Sequence, residues 1–517
     1  MSRTINPIIP GFAPDPSIVR VDDWYFLVNS SFHLFPGLPI YASQDLASWQ
    51  HIGNAINRAG QLGLSKSSTR LSPPSASTGG KVLPGTAGLY APTIRHHNGT
   101  FYIVCTNALV NKSKPSNDKQ NFIISAKDIW ANEWSDPVYF DFEGIDPDIF
   151  FGDDGKVYIT GSATPGPWTR INCFEVNVNT GERLSEERTL WTGTGGVYPE
   201  GPHLHKRNDW YYLLIAEGGT HVTHSITMAR SRSIWGPYEP CPSNPLLSAA
   251  GTDNYIQHTG HGDLVQDKKG QWWAVCLAVR KDEHGRYAMS RETFLTPVEW
   301  QGEWPVFKLV KSTPSKLPSD IPASSLSSSP SVDLVHIRDA VLENYHASRD
   351  GQDFNLTTSP IDVSHPEASP TLIGKRQRLI QGQSSVTITD ISEDWASAQL
   401  KCGLAYYKDE HRYCRIFFDA LARSIVCEEK NEAQKILNNW ELPLDKVPAA
   451  ISFSLKYTEQ EFHFTYSLGS ESDLSWNKLA IIDTLDMTDP DFVGPVIGIF
   501  AIADERVHVQ FENFDHC

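Results

Sequence analysis

The sequence predicts an all-β chain: a five-bladed β-propeller over residues 1–310, a linker over 311–333 and a β-sandwich over 334–517. Three observations carry that prediction. A hairpin motif returns five times in order, similar Trp-bearing material follows several of the copies, and the last third of the chain alternates apolar and polar residues at the period of strands.

The first copy, "DPSIVRVDDWYFLV" from Asp15, is a hairpin with a stiffened start, because proline fixes φ and "VDDW" suits a tight turn. "APTIRHHNGTFYIV" from Ala91 has the same shape: a residue before Pro, a small residue, Ile, a turn and an aromatic-rich strand. "DPDIFFGDDGKVYIT" from Asp146 enlarges the turn, and "EGPHLHKRNDWYYLLI" from Glu200 and "HGDLVQDKKGQWWAVC" from His261 complete the set. Each reads as two antiparallel strands. The pieces "YASQDLASWQHIG", "ISAKDIWANEWSDP" and "ARSRSIWGPYEP" read as a third strand, a Trp-bearing turn and a fourth strand. Four strands returning at roughly 50–75-residue intervals are the blades of a propeller, and five copies mean five blades. Two aromatic hairpins can match by accident in a large all-β protein; five in order do not.

Residues 311–331, "KSTPSKLPSDIPASSLSSSPS", form a Pro/Ser-rich connection. Beyond it "RYCRIFFDA", "AAISFSLKY", "EFHFTYSL" and "VHVQFENF" alternate as strands of an antiparallel sandwich.

The composition, 40% hydrophobic and 20% charged over 517 residues, is that of an ordinary soluble protein. A net charge of −17 disfavours nucleic acid and anionic membrane surfaces as partners, whereas a neutral ligand such as a sugar is compatible with it. No apolar run approaches the ~20 residues needed to cross a bilayer. "MSRTINPIIP" has no signal-peptide hydrophobic segment, so the expectation is an intracellular protein or one whose leader has been removed. The eight cysteines form no CxxC or Cys/His zinc spacing, and Cys105 and Cys276 lie in apolar strand-like runs that suit buried free thiols.

In a propeller the innermost strand of each blade follows the central channel, so equivalent positions converge near the axis. Here they are Asp15, Ala91, Asp146, Glu200 and His261. One acid at such a place is most simply a strand cap; three of five point to chemistry, because crowded carboxylates raise each other's pKa. Two carboxyl groups facing each other across a sugar are the machinery of glycoside hydrolysis, and a third orients the proton donor and keeps it protonated. Glu200 has the longer arm and suits the acid; Asp15, across the ring of blades, suits a base acting on water.

At these residues the chain resembles glycoside hydrolase family 43, the five-bladed inverting enzymes acting on xylan and arabinan. "FAPDPS", "IDPDIFF", "YPEGPHL", "HGDLVQD" and "RETFLTPVEW" carry the likeness, which runs through most of residues 5–310. The resemblance implies Asp15 as general base, Asp146 as pKa modulator and orienter, and Glu200 as general acid, with no cofactor required for the chemistry. Acid and base would stand about 6.5–9.5 Å apart, leaving room for the water. Asp148 competes with Asp146, and register with Asp15 favours Asp146. Arg291 matches an arginine that binds sugar hydroxyls, a propeller-rim salt bridge being the alternative. His261 matches a histidine beneath the axis that contacts water or a calcium or sodium ion, a satisfied core histidine being the alternative. Phe32 and Tyr90, the latter beside Ala91, look like pocket walls, with ordinary blade packing as the other reading. Thr220 is similar to a pocket threonine.

Trp is usual in the family's β-xylosidases where Tyr90 stands, and a polar insert at a blade edge, such as residues 60–88, can reshape the pocket mouth. These departures make an α-L-arabinofuranosidase as attractive as a β-xylosidase, and a pocket closed by a loop of the second domain favours exo action. The expectation is therefore an exo-acting enzyme releasing α-L-arabinofuranosyl or β-D-xylosyl groups from arabinoxylan or xylo-oligosaccharides. The second domain resembles the concanavalin-like sandwich of many such enzymes, in which a loop closes the pocket; Phe492 in "DPDFVGPVIG" is a candidate for that loop. An independent carbohydrate-binding sandwich is the alternative there. For the whole chain the alternatives are an endo-acting arabinanase, which needs an open groove, and a non-catalytic carbohydrate-binding propeller.

Overall fold

Each repeat becomes one antiparallel blade. The computed structural model describes residues 4–164, 166–313, 321–329, 331–349, 351–469 and 475–516. Blade I is Ser17–Val21, Trp24–Val28, Gly37–Ser43 and Ser48–Ile56. Blade II is Gly88–His97, Thr100–Leu109, Asp118–Ala126 and Val138–Phe140, and blade III is Gly144–Phe151, Val157–Ala163, Arg170–Glu175 and Arg188–Trp191. Blade IV is Glu200–Arg207, Trp210–Glu217, Ser225–Ser231 and Glu239–Pro240, with Leu247–Ser248 also on its third strand. Blade V is Ile256–Gln266, Trp272–Arg280, Glu292–Gln301 and Trp304–Phe307. The first hairpin of a blade closes through a residue that tolerates positive φ: Asp22, Asn98, Gly155, Asn208 or Gly270. Asn98 and Gly99, at φ 48° and 70°, make the two-residue turn whose twist matches its strands.

Five apolar cores fill the gaps between neighbouring blades. The last joins blade V to blade I around Trp49, Trp273 and Val275, and the N-terminal segment supplies Ile5, Ile8 and Ile9 to it. That segment is tied to blade V by Ile8 N–H donating to Thr293 O at 2.9 Å. Each fully buried Leu, Ile or Phe contributes about 1.5–3 kcal/mol, so ring closure rests on these seams.

The second domain is an eight-stranded sheet packed on a seven-stranded one, with a core of alternate residues such as Leu404, Ile416, Phe453 and Phe464. The two domains share structure. Leu34–Phe35 of the propeller pairs with Leu334–Ile337 at the edge of the eight-stranded sheet. Within the predicted linker, Ser325–Ser328 runs parallel to Ser48–Ile56 as a fifth strand of blade I, while residues 314–320 and 330 lie outside the described residues. The reason is an open blade edge: the outermost strand leaves backbone groups unpaired, and "SLSS" covers them while Leu326 reaches the seam beneath. Within the insert, Thr69–Ser72 and Leu83–Thr86 form a two-stranded ribbon. The sandwich grips it, Glu410 accepting the Thr69 N–H at 2.6 Å.

Candidate active site

All five inner strands bend at one height. Asp15, Ala91, Asp146 and His261 have φ of 53°, 30°, 55° and 42°, and the fifth residue of that ring is Gly201, at φ 55°. Each precedes Pro, or Gly262 in blade V. Glu200 is therefore not in register with Asp15, as the repeat alignment had it; it stands one residue earlier, level with Tyr90 and Ile145. The reason is steric. A Cβ at Gly201 would come 2.8 Å from His261 Nδ1, so no side chain fits there, and the acid enters from the preceding position.

Above the bend lies a cavity of about 370 Å³. Asp15, Asp146 and Glu200 line it, as do Phe32, Tyr90, Ala91, Thr220, His261 and Arg291. The structure thus brings every predicted site residue to one pocket. Asp148, the competitor of Asp146, is completely buried and belongs to a lower ring: its Oδ1 accepts from Arg95 Nη2 at 2.8 Å and its Oδ2 from Leu204 N–H at 2.9 Å.

The three acids have unlike surroundings. Burial would raise Asp15, but the charge of Arg291, with His261 and Ser30, holds it below the usual carboxylate value. Arg291 Nη1 donates to its Oδ1 at 3.0 Å, and Ser30 Oγ donates to its Oδ2 at 2.6 Å while accepting the Ala91 N–H at 2.7 Å. Asp146 is pushed up by burial and then by the charge of Asp15, against one N–H donated by Gly201 at 3.0 Å. Glu200 is pushed well up, by burial first and then by Asp146 and Asp15. So one pocket holds an ionised carboxylate and a carboxyl that resists ionisation, the pairing acid–base catalysis requires.

The sequence profile described as "Glycosyl hydrolases family 43" matches residues 4–305, and "Beta xylosidase C-terminal Concanavalin A-like domain" matches residues 327–516. The chain belongs to glycosyl hydrolase family 43. It is 33% identical to a non-reducing end α-L-arabinofuranosidase of Bacteroides ovatus, over 99% of this chain and 93% of that one. It is 36% identical to a xylosidase/arabinosidase of Butyrivibrio fibrisolvens, over 72% of each chain. The crystal structure of a xylan β-1,4-xylosidase from Bacillus halodurans superposes with a TM-score of 0.85 at 25% identity, covering 99% of this chain and 100% of that one.

This family 43 enzyme builds its pocket from more than the propeller. Phe492, on the sandwich loop left as a candidate by sequence, lines the cavity, and its carbonyl accepts from Arg291 Nη2 at 2.7 Å. Its ring lies 6.0 Å from Phe32, 6.1 Å from Tyr90 and 6.3 Å from His221. Arg291 also donates to Thr220 Oγ1 at 3.0 Å, so one guanidinium joins Asp15, blade IV and the sandwich. The insert supplies a further wall through Ser72, Pro73, Ser75, Ser77, Thr78 and Leu83. Its tip reaches blade IV: the space beside Gly219 is bounded by Ser77 Cβ at 3.5 Å.

Residues behind the pocket fix Glu200. Glu217 accepts the N–H groups of Thr194 and Gly196 at 2.9 and 3.2 Å, and the hydroxyls of Thr194 and Thr227 at 2.9 and 2.6 Å. Gly193 takes φ 76°, a conformation that favours glycine, and a Cβ there would lie 2.4 Å from Glu217 Oε1 and push that carboxylate aside. The bend leading to Glu200 is thereby anchored. "TGTGG" signals a bend in the sequence, but nothing there points to Glu217 as its anchor.

Proposed function

We propose that this enzyme is an inverting, exo-acting glycosidase that releases terminal pentose, α-L-arabinofuranosyl or β-D-xylosyl, from arabinoxylan or xylo-oligosaccharides. Glu200 gives its proton to the departing glycosidic oxygen. Asp15 takes a proton from the water that attacks the anomeric carbon from the opposite face, and Asp146 holds Glu200 protonated through its charge and position. No cofactor enters these steps. Arg291 and Thr220 suit sugar hydroxyls, and Phe32, Tyr90 and Phe492 suit the ring faces of a pentose.

One observation carries the exo assignment: the cavity is small for a ligand site, and two segments outside the blades, the insert and the Phe492 loop, stand on its rim. A groove for an internal chain segment would need both displaced. That weighs against the endo-acting alternative, and the three acids together weigh against a purely binding role. The names of the relatives support both pentoses.

The test compares β-xylosyl, α-arabinofuranosyl and doubly arabinosylated xylo-oligosaccharides, with proton NMR of the first sugar released. Single pentoses from the outset, with inverted anomeric configuration, are expected. A ladder of internal fragments would overturn the exo assignment, and a retained configuration would overturn the roles of Asp15 and Glu200.

A further inference from the structure

Two residues beyond the bend, the inner strands meet again. Blades I, III, IV and V place Ser17, Asp148, His203 and Asp263 around the axis, and Arg95 reaches into their midst from blade II. Its Nη1 donates to Asp263 Oδ2 at 2.8 Å and to Ser17 Oγ at 3.2 Å. Its Nη2 donates to Asp148 Oδ1 at 2.8 Å and lies 3.1 Å from His203 Nδ1. One guanidinium therefore touches the other four blades and joins all five.

The sequence suggested water or a calcium or sodium ion at His261, on this axis. Two completely buried carboxylates converging beneath it would indeed need a cation, since burying them unpaired costs several kcal/mol each. They already have one, and no carboxylate oxygen is left over. Asp148 Oδ2 accepts from Leu204 N–H. Asp263 Oδ2 also accepts from Ser17 Oγ and Ile18 N–H at 2.8 and 3.1 Å. Asp263 Oδ1 accepts from Leu264 N–H at 2.8 Å and stands 3.1 Å from His205 Nε2. His261, in the layer above, offers one imidazole whose Nδ1 is 3.8 Å from Asp15 Oδ1. Among the described residues no group of three or more His, Cys, Asp or Glu side chains is arranged to hold a metal ion. An added ion at this level would meet the repulsion of the guanidinium with both hub carboxylates already engaged.

We propose that the Arg95 guanidinium is the hub's own cation, holding the place an axial calcium or sodium ion would take, so that this propeller binds no metal ion on its axis. The planar fork suits the task, because it offers donors in several directions at once and cannot be deprotonated. The hub also floors the pocket: the His203 ring lies 6.1 Å from that of His261, which flanks Asp15.

The test needs no assignment of catalytic roles. The full chain is treated with EDTA, then titrated with Ca²⁺, and followed by thermal melting and by release of nitrophenol from an aryl pentoside. Melting temperature and rate should be unchanged by either step. Arg95→Ala should melt roughly 5–10 °C lower, and Ca²⁺ should restore part of that loss by entering the vacated space between Asp148 and Asp263. Should that variant fail to fold, Arg95→Lys retains a cation and should stay indifferent to EDTA. The proposal is overturned if chelation lowers the melting temperature of the unaltered protein, or if Ca²⁺ raises it through one saturable site. It is also overturned if Arg95→Ala folds yet ignores Ca²⁺, or if Arg95→Lys requires it.

Discussion

Asp146 and Asp148 lie two residues apart on one strand, both are buried, and their carboxyl groups are driven in opposite directions. Burial raises Asp146, and the charge of Asp15 raises it further. Burial would raise Asp148 as well, but Arg95 and His203 outweigh it and hold Asp148 below the usual carboxylate value. Placement of the partner cation decides the difference. In the lower layer a guanidinium sits between two acids. In the upper layer the guanidinium of Arg291 is committed to Asp15 and to the carbonyl of Phe492, leaving Asp146 and Glu200 without a cation within hydrogen-bonding reach among the described residues. The same bundle of strands thus carries a ring of paired charges and, one step above it, the ring of acids proposed to be reactive, whose carboxyl groups are driven apart in pKa.

If the upper ring is the reactive one, its variants lose rate while keeping the fold. Glu200→Gln should lower kcat/KM on natural glycosides by about 10²–10⁴-fold, and far less on aryl glycosides whose leaving groups need no proton. Asp15→Asn should lose activity on both kinds, since water needs a base whatever departs. Steady-state kinetics on a leaving-group series measures this, and equal losses for Glu200→Gln across the series would break the comparison at its upper layer.

If the lower ring is structural, its variants lose stability first. Asp148→Asn removes one carboxylate from the hub and leaves Arg95 short of a partner, a change expected to lower unfolding free energy by about 3–5 kcal/mol. The pH dependence has a definite sign. Asp148 and Asp263 have folded-state pKa values below the unfolded one, so their contribution is present above about pH 4 and is lost as pH falls through the depressed values. Urea melts at neutral and acid pH should show the gap between Asp148→Asn and the unaltered protein narrowing on acidification. A variant with unchanged melting and absent activity would move Asp148 into the upper ring.

The propeller was legible because its signal is repetition, and repetition survives without any long-range information. Asp15 and Asp146 were legible for the same reason: each occupies the bend before a proline. Glu200 was found as an acid but placed one residue out, since the requirement that displaces it, the approach of His261 to Gly201, appears only once blades IV and V are neighbours. The strand Ser325–Ser328 carries no β-signal in its own composition; it forms because a blade edge is open beside it. Phe492 meets Arg291 across 201 residues of sequence, and no local pattern spans that distance. Arg95, Asp148 and Asp263 did leave a trace. Each is a charged residue on an inner strand, two or four residues past the repeated bend, and a charge that deep in a blade implies a partner of opposite sign on the axis.

The smallest effect is the sharpest test of the contrast, because it asks whether the reactive layer is held at the expense of stability. The folded pKa of Glu200 is raised, so protons bind the folded state more tightly than the unfolded one. Stability from that group is complete below the unfolded value, near pH 4.3, and is lost as pH rises through the raised folded value. Gln at this position has the shape of the protonated acid at every pH. Glu200→Gln should therefore match the unaltered protein near pH 4 and exceed it increasingly toward pH 9, at about 1.4 kcal/mol for each unit of the rise in pKa. The gain belongs to the two neighbouring acids together, and its sign is the expected outcome. Urea midpoints across that pH range measure it. The opposite trend would mean that the ionised Glu200 carboxylate is paired in the folded enzyme, and the two rings would then differ in position but not in kind.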